Sequence, residues 1–168
     1  MSAETVLQFH GNDLALRHLR SHAFSVLYRG VMTLVEDLAH FLDVDGRAQS
    51  KTLSPSAARD YAALSRQLTA GALRIASAVL TLRSMRDGET TFTSGMADIR
   101  RQHMTESPDG FSGSLDGLPS GILDLAVRCD ALRLEVVRLV DAAGNDGRSG
   151  ANPVHVALVR IGSAFGAA

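Results

Sequence analysis

The longest regular pattern in the sequence is an apolar repeat in steps of three and four residues, which begins after Ser54-Pro55 and continues to about Arg86. Serine is a good N-cap, and proline is well tolerated in the first turn of a helix. The spacing therefore predicts one long helix that ends at Asp87-Gly88. Its apolar stripe contains Tyr61, Leu64, Leu68, Ala72, Ile75, Val79, Leu82 and Met85.

Leu73, Ala76 and Leu80 form a second apolar stripe beside the first on the same helix. A helix with apolar residues on more than one side packs against more than one neighbour. Two other segments have the periodicity of such neighbours. One contains Phe24, Leu27, Tyr28, Val31, Leu34, Val35, Leu38, Phe41 and Leu42. The other begins at Pro119, is stopped by the sequence from Gly144 to Gly147, and contains Ile122, Leu125, Cys129, Leu132, Val136 and Leu139.

Three long amphipathic helices predict an all-α fold, a three-helix bundle whose first two helices are antiparallel. The predicted core has Leu68, Ile75 and Val79 on the long helix, and these face Val31, Leu38 and Leu132. The additional apolar stripes exceed what three helices can bury, so we expect a homodimer.

The pattern also divides the chain. Residues 1–20 are expected to be a loosely ordered N-terminal segment, residues 21–143 the bundle, and residues 144–168 a flexible C-terminal tail. Between Gly88 and Pro119, glycines and prolines interrupt the periodicity, with one short helix expected at about Thr93 to Met104.

The turn between the first two helices contains Asp43, Asp45, Gly46 and Arg47, a D-x-D-G sequence that resembles part of a calcium loop. A calcium loop needs oxygen ligands at its first and last positions, and aligning Gly46 with the template puts Phe41 and Thr52 there. The calcium interpretation therefore fails. Gly46 is expected to end the first helix in a left-handed conformation.

Composition limits the function. Lys plus Arg number 17 and Asp plus Glu 18, so the net charge of −1 does not favour binding to nucleic acid or to an acidic membrane surface. The single cysteine, Cys129, is typical of a reducing cytosol, and no apolar run approaches the length of a membrane span. We expect a soluble, cytoplasmic protein.

Candidate chemistry is sparse. His18 and His22 are four residues apart, a spacing that metal sites use, but no third ligand is evident. Asp37 and His40 have the spacing of half of a carboxylate-bridged di-iron site, but the sequence contains no second acid-x-x-His pair. These four residues support an alternative, a metal-binding or catalytic bundle, and a dimeric helical regulator that binds DNA or a small ligand is a further alternative. We expect no enzyme activity and no cofactor.

The segments "FSVLYRGVMTLVEDLAHFLDVDGRAQSKTL" and "YAALSRQLTAGALRIASAVLTLRSMRDGE" resemble the family of the regulator of CtrA degradation (RcdA) of alphaproteobacteria. The resemblance covers Phe24 to Glu89, and "LPSGILDLAVRCDALRLEVVRLVD" matches the last helix of that family. The sequence lacks the tryptophan expected after Ser77 and has Gly30-Val31 where Glu-Gly is common. It is therefore identified as a divergent member.

The resemblance implies a dimeric bundle that acts as an adaptor. Such a protein works with the ClpXP protease and a response-regulator co-adaptor. It delivers protein substrates, which are cell-cycle regulators such as CtrA. The resemblance further implies a cytoplasmic protein that can be recruited to the cell pole. It also implies that Arg47, Ser50 and Lys51 form an exposed contact loop.

The tail combines Gly, Asn and Ser with a stretch that is too apolar for a linker without a binding role. One interpretation is that it binds a client or a protease domain, and the other is that it folds back onto the bundle. Ala167-Ala168 resembles the C-termini that ClpX pulls on. The candidate contact residues of the tail are Val156, Leu158, Ile161, Phe165, Ala167 and Ala168.

Overall fold

The computed structural model describes residues 16–102 and 111–146. The described residues contain five complete helices: α1 (His22–Asp43), α2 (Asp45–Ser50), α3 (Pro55–Asp87), α4 (Phe92–Arg101) and α5 (Ser120–Asp146). Residues 16–19 are also helical, and no strand occurs in these ranges. The predicted all-α fold with three long helices is confirmed.

Local signals explain where α3 begins and ends. The Ser54 hydroxyl accepts a hydrogen bond from the Ala57 amide at 3.2 Å, and Pro55 occupies the first turn. Gly88 adopts a left-handed conformation with φ of 79°, and its amide donates to the Met85 carbonyl at 3.2 Å. Both predicted boundaries of the long helix are therefore confirmed.

Two contacts show that α1 and α3 are antiparallel. Near the start of α1, Tyr28 is bonded to Arg83 near the end of α3. Beyond the end of α1, Gly46 packs on Tyr61 near the start of α3. The predicted antiparallel pairing of these two helices is confirmed.

The third long helix, α5, runs antiparallel to α1 and hence parallel to α3. Arg128 on α5 pairs with Asp37, while Leu132, one turn further on, lies beside Gly30. Parallel helices must be joined by a connection that returns along the bundle. The first part of that connection is α4, which packs on the end of α3 where the Met85 side chain lies directly over Gly95.

The core lies between α1, α3 and α5. Ile75 and Val79 are 1% and 0% exposed, and Leu68, Val31 and Leu38 are also buried, as predicted. Leu132 is only partly buried and packs at the edge of the core. None of the described polar or charged residues is buried. The fully buried large side chains are Leu19, Phe24, Val31, Leu34, Ile75, Val79, Leu82, Ile99, Ile122 and Val136.

Two of the three residues in the second stripe of α3, and two apolar residues that flank the buried side of α5, remain on the surface. Leu73 and Leu80 are 57% and 49% exposed on α3, and Val127 and Leu134 are 72% and 40% exposed on α5. Ala76, the other member of the second stripe of α3, is buried.

The prediction that Gly46 ends the first helix was wrong. Helix α1 ends at Asp43, and its C-cap Val44 donates to the His40 carbonyl at 3.0 Å. Gly46 lies inside α2 and is buried, and it is not among the glycines with positive φ in the described residues. It is there because a Cβ atom would collide with the Tyr61 hydroxyl and lie 3.0 Å from the Phe41 carbonyl oxygen.

Other boundaries differ by a few residues. The short helix predicted at about Thr93 to Met104 begins at Phe92 and ends at Arg101, and residues 103–104 lie outside the described ranges. Helix α5 ends at Asp146, within the stretch from Gly144 to Gly147 that was expected to stop it. Leu19, which we placed in the N-terminal segment, is fully buried.

No helix in residues 16–102 and 111–146 combines the length and the apolar character that a membrane crossing requires.

The position of Ile75 in the core predicts the cost of truncating it. Ile75→Ala should lower the free energy of unfolding by about 2–5 kcal/mol, because removal of buried methyl groups leaves a cavity. Leu73→Ala, on the exposed side of the same helix, is the matched control and should change it by less than about 0.5 kcal/mol. Urea denaturation measures both, and a loss below about 1 kcal/mol for Ile75→Ala would contradict this placement.

The packing of Gly46 predicts a rescue experiment. Gly46→Ala should destabilise the protein by about 1–3 kcal/mol, because the added methyl group displaces the Tyr61 ring. In a Tyr61→Phe background, which removes the hydroxyl that the methyl group meets, the same substitution should cost markedly less. Thermal unfolding of the four proteins in this double-mutant cycle measures the coupling, and purely additive losses would show that Tyr61 is not the obstacle.

Candidate functional site

Helix α2 places the predicted contact loop at the end of the bundle where α1 meets α3. The helix is only 6 residues long, so tertiary packing must hold it in place. Gly46 supplies this packing, because its lack of a side chain lets the backbone of α2 lie against Phe41 and Tyr61. The orientation of the loop is therefore coupled to the core.

Hydroxyl groups complete the C-terminal end of α2. The Ser50 hydroxyl donates to the Arg47 carbonyl at 3.0 Å, and the Thr52 hydroxyl donates to the Gln49 carbonyl at 2.8 Å. The Gln49 carbonyl also accepts from the Thr52 amide at 3.1 Å, so these hydroxyl groups reinforce the backbone hydrogen bonds at the helix end. Ser50 is half-buried, so within the predicted site it positions the loop rather than offering a free hydroxyl.

Arg47 and Lys51 are the exposed members of the predicted contact loop. In the described part of the chain, neither side chain makes an ion pair, and neither donates a side-chain hydrogen bond. Asp43 and Asp45 are exposed immediately before them, so the loop contains both signs of charge. Its recognition of a partner would therefore depend on direct contacts rather than on long-range attraction.

A second polar cluster, at the opposite end of α1 and α3, was missed by the sequence analysis. Arg83 Nη1 donates to the Tyr28 hydroxyl at 2.9 Å, and its guanidinium lies 5.1 Å from the centre of the Tyr28 ring. The guanidinium of Arg86 lies 5.8 Å from the Phe24 ring. These residues are more than fifty positions apart in sequence, so no local signal could have found the cluster.

The charges of this cluster stabilise one another. The hydrogen bond to Tyr28 raises the pKa of Arg83. Arg86 donates to both oxygens of Asp87 at 2.8 and 3.1 Å, and these hydrogen bonds lower the pKa of that carboxyl. All the groups are near the surface, so the cluster defines the relative position of two helix ends without supplying a group poised for proton transfer.

The candidate metal ligands do not converge. His18 and His22 are both exposed, and Asp37 is bound by Arg128 at 2.8 Å. No group of three potential ligands from His, Cys, Asp and Glu occurs in the described ranges. His40 is exposed, and no such group includes it.

Cys129 is buried on the apolar side of α5. Burial raises the pKa of its thiol, and the nearby Asp130 carboxylate raises it further. A protonated, enclosed thiol is a weak nucleophile, so Cys129 acts as a small core residue.

The predicted contact residues of the tail, Val156, Leu158, Ile161, Phe165, Ala167 and Ala168, lie outside the described residues.

Comparison with known proteins agrees with the resemblance seen in the sequence. The sequence matches the family described as "Protein of unknown function (DUF1465)" over residues 15–165. No curated protein matches it. The fold is similar to the crystal structure of RcdA from Caulobacter crescentus CB15, with a TM-score of 0.58 and 33% sequence identity over 72% of this chain and 89% of that chain. The chain therefore belongs to the DUF1465 family, as a divergent RcdA-like member.

Proposed function

We propose that the chain is a non-catalytic adaptor that helps deliver protein substrates to the ClpXP protease. The observation that carries this proposal is the similarity to RcdA, which extends over 89% of the RcdA chain at 33% identity. The clients in this proposal are cell-cycle regulators such as CtrA, and a response-regulator co-adaptor acts in the same complex. The proposal places the protein in the cytoplasm, with recruitment to the cell pole during delivery.

The polar groups of the described residues favour contact over chemistry. The core is apolar, Cys129 is enclosed, and the exposed cations Arg47 and Lys51 lie on a loop whose backbone is held by the core. A rigidly positioned loop loses little conformational entropy when it binds, which suits a recognition element. We assign Arg47 and Lys51 to partner contact and Ser50 to the geometry of the loop.

The proposal includes a homodimer that buries the exposed apolar side chains of α5, Val127 and Leu134. Large exposed apolar side chains close together on one helix favour association in water. The same side of α5 contains exposed groups of both signs, including Asp130 and Arg138, so like charges do not oppose the pairing of two copies.

The contact loop can be tested in a reconstituted degradation assay with ClpXP, the co-adaptor and fluorescent CtrA. Arg47→Ala with Lys51→Ala should slow client loss several-fold, while thermal stability changes by less than about 0.5 kcal/mol. The matched control, Arg20→Ala with Arg100→Ala, removes two exposed cations away from the loop and from the proposed dimer surface, and the client should be lost at the normal rate. If no version of the chain accelerates client loss, the adaptor proposal itself fails. If the chain accelerates client loss but the loop variant and the control variant do so at the same rate, the loop is not the contact.

We further propose that the tail tethers a client or a protease domain, with Ala167 and Ala168 as the terminal recognition element. Truncation after Asp146 should then preserve helicity and dimerisation but abolish delivery in the same assay, because the described helices α1, α3 and α5 bury one core between them. Circular dichroism and sedimentation provide the structural measurements. A lower melting temperature together with normal delivery would indicate instead that the tail covers the bundle.

A further inference from the structure

The outward side of α3 differs in charge from the rest of the protein. Residues 61–86 contain four arginines and no Asp or Glu, although the whole chain has slightly more acidic than basic residues. Asp60 and Asp87 bracket this stretch. A helix surface of this length without a carboxylate attracts negatively charged partners.

Four residues form a column along this surface. Arg59, Arg66, Leu73 and Leu80 follow one another at seven-residue intervals, which places them on one side of the helix and about two turns apart. All four are exposed, and Leu73 and Leu80 are 57% and 49% exposed. The column points away from the core, since Leu73 is rotated about 200° from the buried Ile75.

The flanks of the column allow another backbone to approach. Ala62 and Ala70 are exposed and small. The Thr69 hydroxyl donates to the Ser65 carbonyl at 2.8 Å, and the Ser77 hydroxyl is bonded to Gln102 at 3.0 Å. Because the Thr69 hydroxyl already donates, covering it leaves no donor without a partner, and the Ser77 hydroxyl accepts a hydrogen bond from Gln102 Nε2.

The two cations of the column are available for binding. In the part of the chain that the structure describes, Arg66 forms no ion pair, and Arg59 donates only its Nε, to the Pro55 carbonyl at 3.3 Å. Arg83, further along α3, is already bonded to Tyr28. The column thus has two arginines with unused donors at one end and two leucines at the other.

We propose that this column, Arg59-Arg66-Leu73-Leu80, is the docking surface for an acidic amphipathic helix of a partner protein. Two apolar residues of that helix, seven positions apart, would cover Leu73 and Leu80, and carboxylates two turns away would pair with the arginines. This surface is separate from the Arg47–Lys51 loop, and its test requires no protease.

Three other occupants match this column less well: the chain's own segment 147–168, a second copy of the chain, and double-stranded DNA. The chain's own segment 147–168 contains Arg148 and Arg160 and no carboxylate side chain, so it would place like charges together. A second copy would bring the same arginines. The carboxylate that it could offer them is Asp87, seven residues beyond Leu80, and Asp87 already accepts hydrogen bonds from Arg86. Double-stranded DNA would pair with the arginines but has no counterpart for the two exposed leucines.

The test uses a fluorescein-labelled helical peptide of about three heptads, with Leu at positions seven apart and Glu on both flanks. A control peptide has the same sequence with every Glu replaced by Lys. Fluorescence anisotropy with the full chain at low salt should show binding of the acidic peptide only. Leu73→Ser with Leu80→Ser should weaken binding at least about tenfold, because both leucines lose apolar burial. Arg66→Glu should also weaken it about tenfold, with the difference shrinking at about 0.5 M salt.

Val26→Ser with Leu115→Ser is the matched control, since it removes two exposed apolar side chains that lie outside α3 and outside the proposed dimer surface, and it should leave the affinity unchanged. Absence of binding by the acidic peptide, equal binding by the Lys peptide, or equal effects of the two Ser double variants would overturn the proposal. Displacement of the acidic peptide by a DNA duplex at equal concentration would also overturn the proposal. Conversion of a dimer to a monomer by the Leu73 and Leu80 substitutions, measured by sedimentation, would assign the column to a second copy instead.

Discussion

The rest of the structure depends on the burial of the apolar seam of α3. This helix has 33 residues and is therefore about 50 Å long, and its seam is apolar from Tyr61 to Met85. With 22 residues, α1 is about 33 Å long and covers part of the seam from one side. Helix α5 covers it from the other, and the residues buried between the three helices form one continuous core.

The direction of α5 follows from this arrangement and determines the connection that precedes it. Because α5 is parallel to α3, the chain must return along the bundle between Gly88 and Leu118. The return is partly built into the core: Met96 and Ile99 of α4 are buried against the end of α3, and Leu118 is buried just before α5 begins. A segment whose glycines and prolines suggest a loop therefore contributes to the stability of the bundle.

The two ends of the α1–α3 pair have different chemistry. At one end, the close packing of Gly46 on Tyr61 holds a loop whose two cations form no ion pair with any described residue. At the other, Arg83 binds both Tyr28 and Asp87. The polar groups of the described residues thus lie on surfaces that can meet another macromolecule, while the interior offers neither a charged group nor a reactive thiol.

The sequence by itself determined the three long helices, the boundaries of α3 and most of the core, because periodicity, the Ser54 cap and the Gly88 stop act over a few residues. It could not determine the role of Gly46, since the side chain that excludes a methyl group there belongs to Tyr61, fifteen positions away. It also could not determine which apolar stripes are covered. Ala76 is buried whereas Leu73 and Leu80 are exposed, and this difference depends on where α1 and α5 contact α3. Only the tertiary structure decided these points, because burial results from the packing of segments that are distant in the chain.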